Sequence, residues 1–140
     1  MNIKKLKSLV VSTPIIIFAL TGTSLAYSKG FSGSWTNGDT INGGNNGVYY
    51  DLSSKKTTIS GTARVTNTSQ TTEVSERLYI EARRKTTLGS SREHYYTSST
   101  YKSSLNFSTS FTPSTSGKHY LIIRKAQRNI PGTISGTITQ

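Results

Sequence analysis

The pentapeptide TISGT occurs twice in this chain, at Thr58–Thr62 and again at Thr133–Thr137. In both copies isoleucine and glycine alternate with hydroxyl-bearing residues, so small or apolar residues share one face and polar residues share the other. The first copy lies within Thr57–Asn67, where the alternation continues through Ala63 and Val65. A period of two is the signature of a half-buried β-strand, and the repeat therefore predicts two strands of the same kind.

The glycines of the two copies, Gly61 and Gly136, are interpreted structurally rather than catalytically. A serine nucleophile elbow requires Gly-x-Ser-x-Gly at a sharp turn from a strand into a helix. In TISGT the glycine follows the serine directly, and the alternation runs through it. Glycine inside a strand marks a bulge or the close approach of another backbone or a large ring. We expect the two copies to be neighbouring strands, or equivalent strands of two sheets.

Further strand signals recur along the chain, separated by clusters of Gly, Asn and Ser. The continuous apolar run Tyr120–Ile123 is typical of a strand in the middle of a sheet, covered on both faces. Glu76–Lys85 contains good helix formers, which leaves a helix as the alternative, but its alternating residues favour a strand. Additional strands are predicted at Phe31–Trp35, Val48–Tyr50, Leu105–Phe111, Ile134–Ile138 and, after a hairpin turn at Leu88–Ser91, Arg92–Tyr101, with a loop at Asn37–Gly47.

These segments predict an all-β fold, a small single-domain β-sandwich of about seven or eight short antiparallel strands. The stretch FTPSTSGKHYLII, Phe111–Ile123, has an apolar residue, a turn that contains proline, and Gly-x-x-Tyr leading into a strand. It resembles the late strands of immunoglobulin-like and related bacterial sandwich domains, and the resemblance implies a sandwich. An immunoglobulin-like and a jelly-roll-like arrangement both remain open.

The first 26 residues predict export of the protein. A basic start at Lys4, Lys5 and Lys7 precedes an apolar run, and small residues at Ser24 and Ala26 follow. This is the anatomy of a secretory signal peptide. The apolar run spans about 12 residues, whereas a membrane helix needs about 20, so a membrane anchor is the less favoured alternative. Cleavage after Ala26 would leave a single secreted domain, residues 27–140, either free outside the cell or associated with the cell wall.

Composition narrows the function classes. The chain has no cysteine, which excludes disulfides, thiolate nucleophiles and thiolate metal sites. An exported domain without disulfides points to a bacterial source, and we expect a Gram-positive one. The formal net charge is +11, and removal of three lysines with residues 1–26 would leave +8. A large positive charge favours encounter with anionic surfaces of any kind.

No catalytic residue, metal site or cofactor is predicted, and we expect no enzyme activity. The two histidines, His94 and His119, are isolated, and we interpret both as polar residues on strand surfaces. Asp39, in the loop rich in Gly and Asn, would by itself make only a weak calcium site. Glutamates at 76, 81 and 93 adjoin arginines at 77, 83, 84 and 92, which indicates ion pairs at the surface.

Clusters of basic residues and nearby tyrosines are the candidate binding residues. Arginine forks hydrogen-bond phosphates, and tyrosine rings stack on sugars or bases. The alternative is a solvated basic surface that keeps the protein soluble. The candidates for polyanion binding are Lys55, Lys56, Arg83, Arg84, Lys85, Arg124, Lys125 and Arg128, and those for aromatic contact are Tyr79, Tyr95, Tyr96, Tyr101 and Tyr120.

Two functions are favoured by these features, and a secreted enzyme or enzyme inhibitor is a third, less favoured alternative. The first is a non-enzymatic binding module whose partner is an anionic cell-wall polymer, a membrane surface or, without sequence specificity, nucleic acid. The second is a secreted bacteriocin-like toxin that acts on a competitor's envelope. The stretch FSGSWTNG, which begins at Phe31, resembles the Gly-x-Trp opening of the lactococcin-972-type bacteriocins. The oligomeric state is left open by the sequence.

Overall fold

The computed structural model describes residues 26–36, 38–66 and 75–140. Within these residues the chain forms antiparallel strands arranged in two sheets. The described residues contain no helix that is long and apolar enough to cross a membrane. The all-β prediction is confirmed, whereas the expected signal peptide lies outside the described residues except for Ala26. The strands are β1 Ser28–Trp35, β2 Thr40–Asn42, β3 Tyr50–Leu52, β4 Thr57–Val65, β5 Leu78–Thr86, β6 Gly89–Thr97, β7 Ser104–Phe111, β8 Gly117–Lys125 and β9 Gly132–Thr139.

The strand order is that of a jelly roll. Sheet A has the order β1-β9-β4-β7, and sheet B has the order β2-β8-β5-β6, with β3 also paired to β8. The first strand therefore pairs with the last, the short strands β2 and β3 pair with β8, β4 pairs with β7, and β5 and β6 form the innermost hairpin. Nested pairing of this kind defines a double-sheet jelly roll. An immunoglobulin-like sandwich groups its strands differently, so that alternative is wrong.

The two TISGT copies are neighbouring antiparallel strands, β4 and β9. Their register places Gly61 directly opposite Gly136 and Ile59 opposite Ile138. A Cβ atom on Gly61 would meet the carbonyl oxygen of Ser135 and the Phe107 ring, and one on Gly136 would meet the carbonyl oxygen of Ser60 and the Phe31 ring. The prediction that these glycines admit another backbone and a large ring is confirmed.

The core lies between the two sheets and is built from alternate residues of both. Sheet B contributes Leu78 and Ile80, and sheet A contributes Ile59 and Ile134, all essentially inaccessible to solvent. Strand β8 lies between β2 and β3 on one side and β5 on the other, and three of its consecutive residues, 121–123, are buried. The interpretation of Tyr120–Ile123 as a central strand is confirmed, as is the strand rather than the helix at Glu76–Lys85.

Several element boundaries differ from the sequence prediction, and the strand expected at Val48–Tyr50 is β3, which begins at Tyr50 and ends at Leu52. The expected loop at Asn37–Gly47 contains the short strand β2, which pairs with β8. The β5–β6 turn ends earlier than expected, because Gly89, at φ +143°, already begins β6. Strand β6 ends at Thr97, and Tyr101 lies beyond it in an isolated bridge to Glu76.

Candidate functional site

The outward-facing side chains of sheet B bring six of the 13 candidate residues together. Because Leu78, Ile80 and Ala82 of β5 face the core, the intervening residues of that strand face outwards. The register places residues of β6 and β8 beside them on the same surface. We call this surface the basic face, and it comprises Tyr79, Glu81, Arg83, Lys85, Arg92, Tyr95, Lys118, Tyr120 and Arg124.

A carboxylate shared by two arginines lies at the centre of the basic face. Arg83 Nη1 donates to Glu81 Oε2 and Arg124 Nη1 donates to Glu81 Oε1, each at 2.9 Å. Arg83 Nε also donates to Ser90 Oγ at 2.9 Å. A guanidinium has five N–H donors in a fixed fork, so both arginines keep donors that Glu81 does not occupy. Glu81 therefore holds the two forks in position and leaves the group with a net positive charge.

A bulge in β6 places a second arginine directly opposite Arg83. The β5–β6 register shifts between Ala82 and Arg83, so that Ala82 faces His94 but Arg83 faces Arg92. Without the extra residue, Arg83 would face Glu93. Like charges directly opposite on neighbouring strands destabilise a sheet, and bulges commonly redirect side chains next to functional sites. An anion bound between the two guanidinium groups would relieve this repulsion.

Tyrosine rings line the basic face on both sides of the arginines. Tyr79 and Tyr95 are stacked, with ring centroids 6.4 Å apart and an interplanar angle of 26°. Arg92 lies over the Tyr95 ring, 5.6 Å from its centroid, and Tyr95 is 47% exposed. Tyr120 makes an edge contact with Tyr49 at 6.0 Å. The face thus combines cationic forks with accessible aromatic rings, as surfaces that bind phosphate-linked polymers do.

The bulge removes Glu93 from the basic face, and the Glu93 carboxylate instead accepts hydrogen bonds from Arg84 and Ser114. Glu93 Oε1 accepts a hydrogen bond from Arg84 Nε at 3.0 Å, and Glu93 Oε2 accepts one from the Ser114 backbone N–H at 2.7 Å. Burial of the Glu93 carboxyl by itself would raise its pKa, but the hydrogen bonds from Ser114 and Arg84 outweigh burial and lower the pKa. Arg84 is therefore committed to Glu93 and lies away from the basic face, in contrast to its assignment as a polyanion contact.

The structure brings only part of the predicted cationic set together. Arg83, Lys85 and Arg124 lie on the basic face, whereas Lys55 and Lys56 are exposed in the connection between β3 and β4. Arg128 follows β8 and lies 3.5 Å from a carboxylate oxygen of Asp39.

The prediction that Lys125 binds a polyanion at the surface is wrong, because its side chain faces the core. It is 4% exposed, its ammonium lies 3.8 Å from Glu76 Oε2, and it donates to the carbonyl oxygen of Gln127. The expected surface pair between Glu76 and Arg77 is replaced by this buried pair. The alternation of β8 contained the signal, since residues 121 and 123 face inwards and 125 follows them.

The predictions that Tyr96 and Tyr101 make contacts at the surface are also wrong. Tyr101 is buried, and its burial, together with the nearby Glu76 carboxylate, raises the pKa of its phenol well above the ordinary value. Tyr96 faces the core opposite Ile80, with its ring centroid 6.3 Å from that of Phe107. Tyr79, Tyr95 and Tyr120 are the candidates that lie on the basic face.

Both histidines face the interior rather than the strand surfaces, which corrects the expectation for them. His119 is 1% exposed, and its Nδ1 lies 2.9 Å from the carbonyl oxygen of Gly117. His94 stacks on Phe111 with centroids 5.2 Å apart, and its Nε2 lies 2.7 Å from Thr109 Oγ1. Burial lowers the pKa of His94. Across residues 26–36, 38–66 and 75–140, no group of three or more histidines and carboxylates has metal-binding geometry.

Arg92 and Lys118 are the members of the basic face that sequence reasoning missed. Arg92 was expected only as an ion-pair partner of a neighbouring glutamate. The strand period would place Arg92 on the inner face if β6 were regular, so no pattern in the sequence could have assigned it to this surface. Lys118 could have been found, because it alternates with Tyr120 and Arg124 along β8.

Comparisons with known proteins add little to this geometry. The chain matches no protein-family model, and no curated protein matches it. It is similar to the solved structure of a mitogen derived from Yersinia pseudotuberculosis, with a TM-score of 0.41 and 12% sequence identity. The match covers 81% of this chain and 86% of the mitogen chain.

Proposed function

We propose that this protein is a secreted, non-enzymatic binding module whose basic face binds the phosphate groups of an anionic polymer in a bacterial cell wall. The observation that carries the proposal is the juxtaposition of Arg83 and Arg92 by the bulge in β6, beside Arg124. Three guanidinium groups lie on one surface whose one central carboxylate, Glu81, is shared by two of them. Repulsion between the like charges destabilises the free protein. A bound anion would relieve this repulsion and accept hydrogen bonds from the guanidinium groups.

The chemistry of the ligand follows from the residue types on the face. Arginine forks match the oxygens of phosphate groups with two parallel hydrogen bonds. The tyrosine rings beside them suit the polyol or sugar units that link the phosphates of a cell-wall polymer. Lys85 extends the positive surface towards one end of the sheet, where Lys118 lies opposite Asp51, and an extended surface suits a polymer better than a single phosphate.

The proposal is tested by comparing two double variants that remove the same charge. Arg83→Gln with Arg92→Gln removes the opposed pair, and Lys55→Gln with Lys56→Gln removes two exposed lysines from a loop outside the face. Binding to Gram-positive cell walls, with and without their teichoic acid, is measured over a range of salt concentrations. Loss of two phosphate contacts should reduce the slope of log affinity against log salt by about 1.5.

The proposal is supported if the arginine variant loses affinity and slope while the lysine variant keeps most of both. Equal losses in the two variants would indicate a diffuse charge effect without a site. Binding that is indifferent to salt, or unaffected by removal of teichoic acid, contradicts the proposal. The same protein spotted on lawns of related bacteria tests the bacteriocin-like alternative, which predicts a zone of killing that the arginine variant reduces.

A further inference from the structure

An apolar cavity opens between the two sheets, on the side of the sandwich where β1 and β2 form the edges. Its volume is about 440 Å³, and its walls include Phe31, Ile41, Tyr50, Leu121 and Ile123. A polar groove of about 380 Å³, which shares Ser32, Ile41 and Asn46 with the cavity, continues along the same edge. Among the described residues, those that line the two spaces include no Asp, Glu, Lys, Arg or His, in contrast to the basic face.

The backbone edge of β1 borders the cavity and the groove. The backbone N–H of Gln140 donates to the Tyr27 carbonyl oxygen, which fixes the hydrogen-bonded pairs of the β1–β9 ladder. In an antiparallel ladder these pairs alternate, so Lys29, Phe31 and Gly33 bond to β9 while the residues between them point away. The N–H and C=O groups of residues 30, 32 and 34 therefore point to the free side of β1. Within the described part of the chain, none of these six groups has a hydrogen-bond partner.

Strand β1 has few of the features that usually protect a sheet edge. It is eight residues long and contains no proline, and its one charged residue, Lys29, lies near its start and donates to the Tyr49 carbonyl oxygen of the other sheet. The opposite side of the sandwich is closed by side chains of β6 and β7, among them His94 on Phe111 and Tyr96 on Phe107. The space between the sheets is thus filled beside β6 and β7, whereas beside β1 it holds the cavity.

We propose that the free edge of β1 binds an extended, uncharged segment of another polypeptide as an added strand. The main chain of that segment would pair with Gly30, Ser32 and Ser34. Its residue opposite Phe31 would face inwards, as Phe31 does, and would direct its side chain into the apolar cavity. Strand addition commonly combines main-chain pairing with pockets for alternate side chains, and both are present here. The site is separate from the basic face and does not depend on anion binding.

A second copy of this chain fits the site less well than another polypeptide. If two β1 strands paired with each other, the inward side chains of each, Phe31 and Trp35, would remain packed in their own sandwich. No side chain would then be free to fill either cavity. The large positive charge of the chain also opposes self-association.

The probe is a library of random heptapeptides displayed on phage and selected on the purified protein. The main variant is Ser32→Pro, which removes one N–H from the free edge while keeping the bonds of its neighbours to β9. The matched control is Ser108→Pro on β7. Because the Val65 N–H donates to the Ser103 carbonyl oxygen, the alternation places the Ser108 N–H on the free edge of that strand, away from the cavity.

We expect the selected peptides to alternate apolar and small polar residues without net charge. Their affinity, measured by calorimetry on capped synthetic copies, should fall about tenfold or more in Ser32→Pro and less than about twofold in Ser108→Pro. N-methylation of the peptide amides that pair with β1 should abolish binding. A third variant, Val48→Lys, places a charge at the cavity mouth and should weaken binding without altering the strand edge.

Several results would overturn the proposal. They are failure to select any peptide, selection of acidic peptides that bind through the basic face, and equal affinity for the wild-type protein and Ser32→Pro. Sedimentation of the wild-type protein as a dimer that Ser32→Pro dissociates would assign the edge to a second copy of the chain instead. Thermal unfolding of both proline variants shows whether each is folded, and the N-methylated peptides test the pairing on the unaltered protein.

Discussion

Replacement of Gly136 by alanine should destabilise the protein, although alanine is normally the better residue in a regular element. A Cβ atom at this position would lie 2.6 Å from Phe31 Cζ and 2.9 Å from Phe31 Cε1, and it would also contact the carbonyl oxygen of Ser60. Non-bonded carbon atoms are at their best separation at about 3.5–4.0 Å, so the Phe31 ring would have to move by about 1 Å. The Ser60 carbonyl belongs to the backbone of β4 and cannot move without disturbing the ladder.

The expected cost follows from two opposing effects. Overpacking of a well-packed core costs about 1–3 kcal/mol, and a clash with the backbone belongs at the upper end of that range. The lower entropy of the unfolded chain with alanine offsets about 0.4–1 kcal/mol. The free energy of unfolding should therefore fall by about 2 kcal/mol, which lowers Tm by about 8 °C in a domain of about 100 residues. Urea unfolding followed by the fluorescence of Trp35, the one tryptophan in the chain, measures the change.

Gly30→Ala is the matched control for this prediction. It lies on the adjacent strand β1, and the nearest heavy atom to its added Cβ is the Gly136 carbonyl oxygen, at an ordinary distance of 3.7 Å. This variant should be neutral or slightly more stable than the wild-type protein. If both alanine variants have the same stability, the rings and backbones do not pack against the paired glycines as described.

Three further changes test the ionic and aromatic contacts. Lys125→Met should lower the free energy of unfolding by about 3 kcal/mol because it leaves Glu76 buried without its cation, and adding Glu76→Gln should recover most of the loss, as urea unfolding would show. Burial lowers the pKa of His94 below its ordinary value of 6.5, so its contribution to stability is complete above that pH and is lost as the pH falls through the folded-state pKa. Thermal scans between about pH 7 and pH 5 should show a decline that His94→Phe reduces. Glu81→Gln should lower the free energy of unfolding by about 1 kcal/mol, because Arg83 and Arg124 lose their shared carboxylate. A variant as stable as the wild-type protein would show that the shared carboxylate does not stabilise the fold.

Strands in which apolar and polar side chains alternate regularly were predictable from the sequence. The same alternation predicted which side chains face the core. The TISGT copies pair with glycine opposite glycine, and the apolar run Tyr120–Ile123 lies in the middle of sheet B. Side-chain volume and polarity decide these elements locally. The short strand Thr40–Asn42 was not predictable, because its pairing with β8 stabilises it among Asn and Gly residues that by themselves favour a loop.

The candidate site was only partly predictable, for two physical reasons. The basic residues were grouped by their proximity in sequence, whereas neighbouring residues of a strand face opposite sides. Arg124 and Lys125 illustrate this, since one lies on the basic face and the other is buried against Glu76. The bulge in β6 depends on pairing with β5, and only that pairing brings Arg92 opposite Arg83.

The proposed binding of phosphate to the basic face is tested most directly by nuclear magnetic resonance of the arginine side chains. Titration with a soluble polyphosphate should shift the Nε–Hε signals of Arg83, Arg92 and Arg124 together and at the same concentration. The Nε–Hε signals of Arg128 and Arg84 should move little, because neither side chain lies on the face. Uniform small shifts of all arginine signals, or larger shifts at Arg128 than at Arg83, would contradict the assignment of the outer surface of sheet B as the binding site.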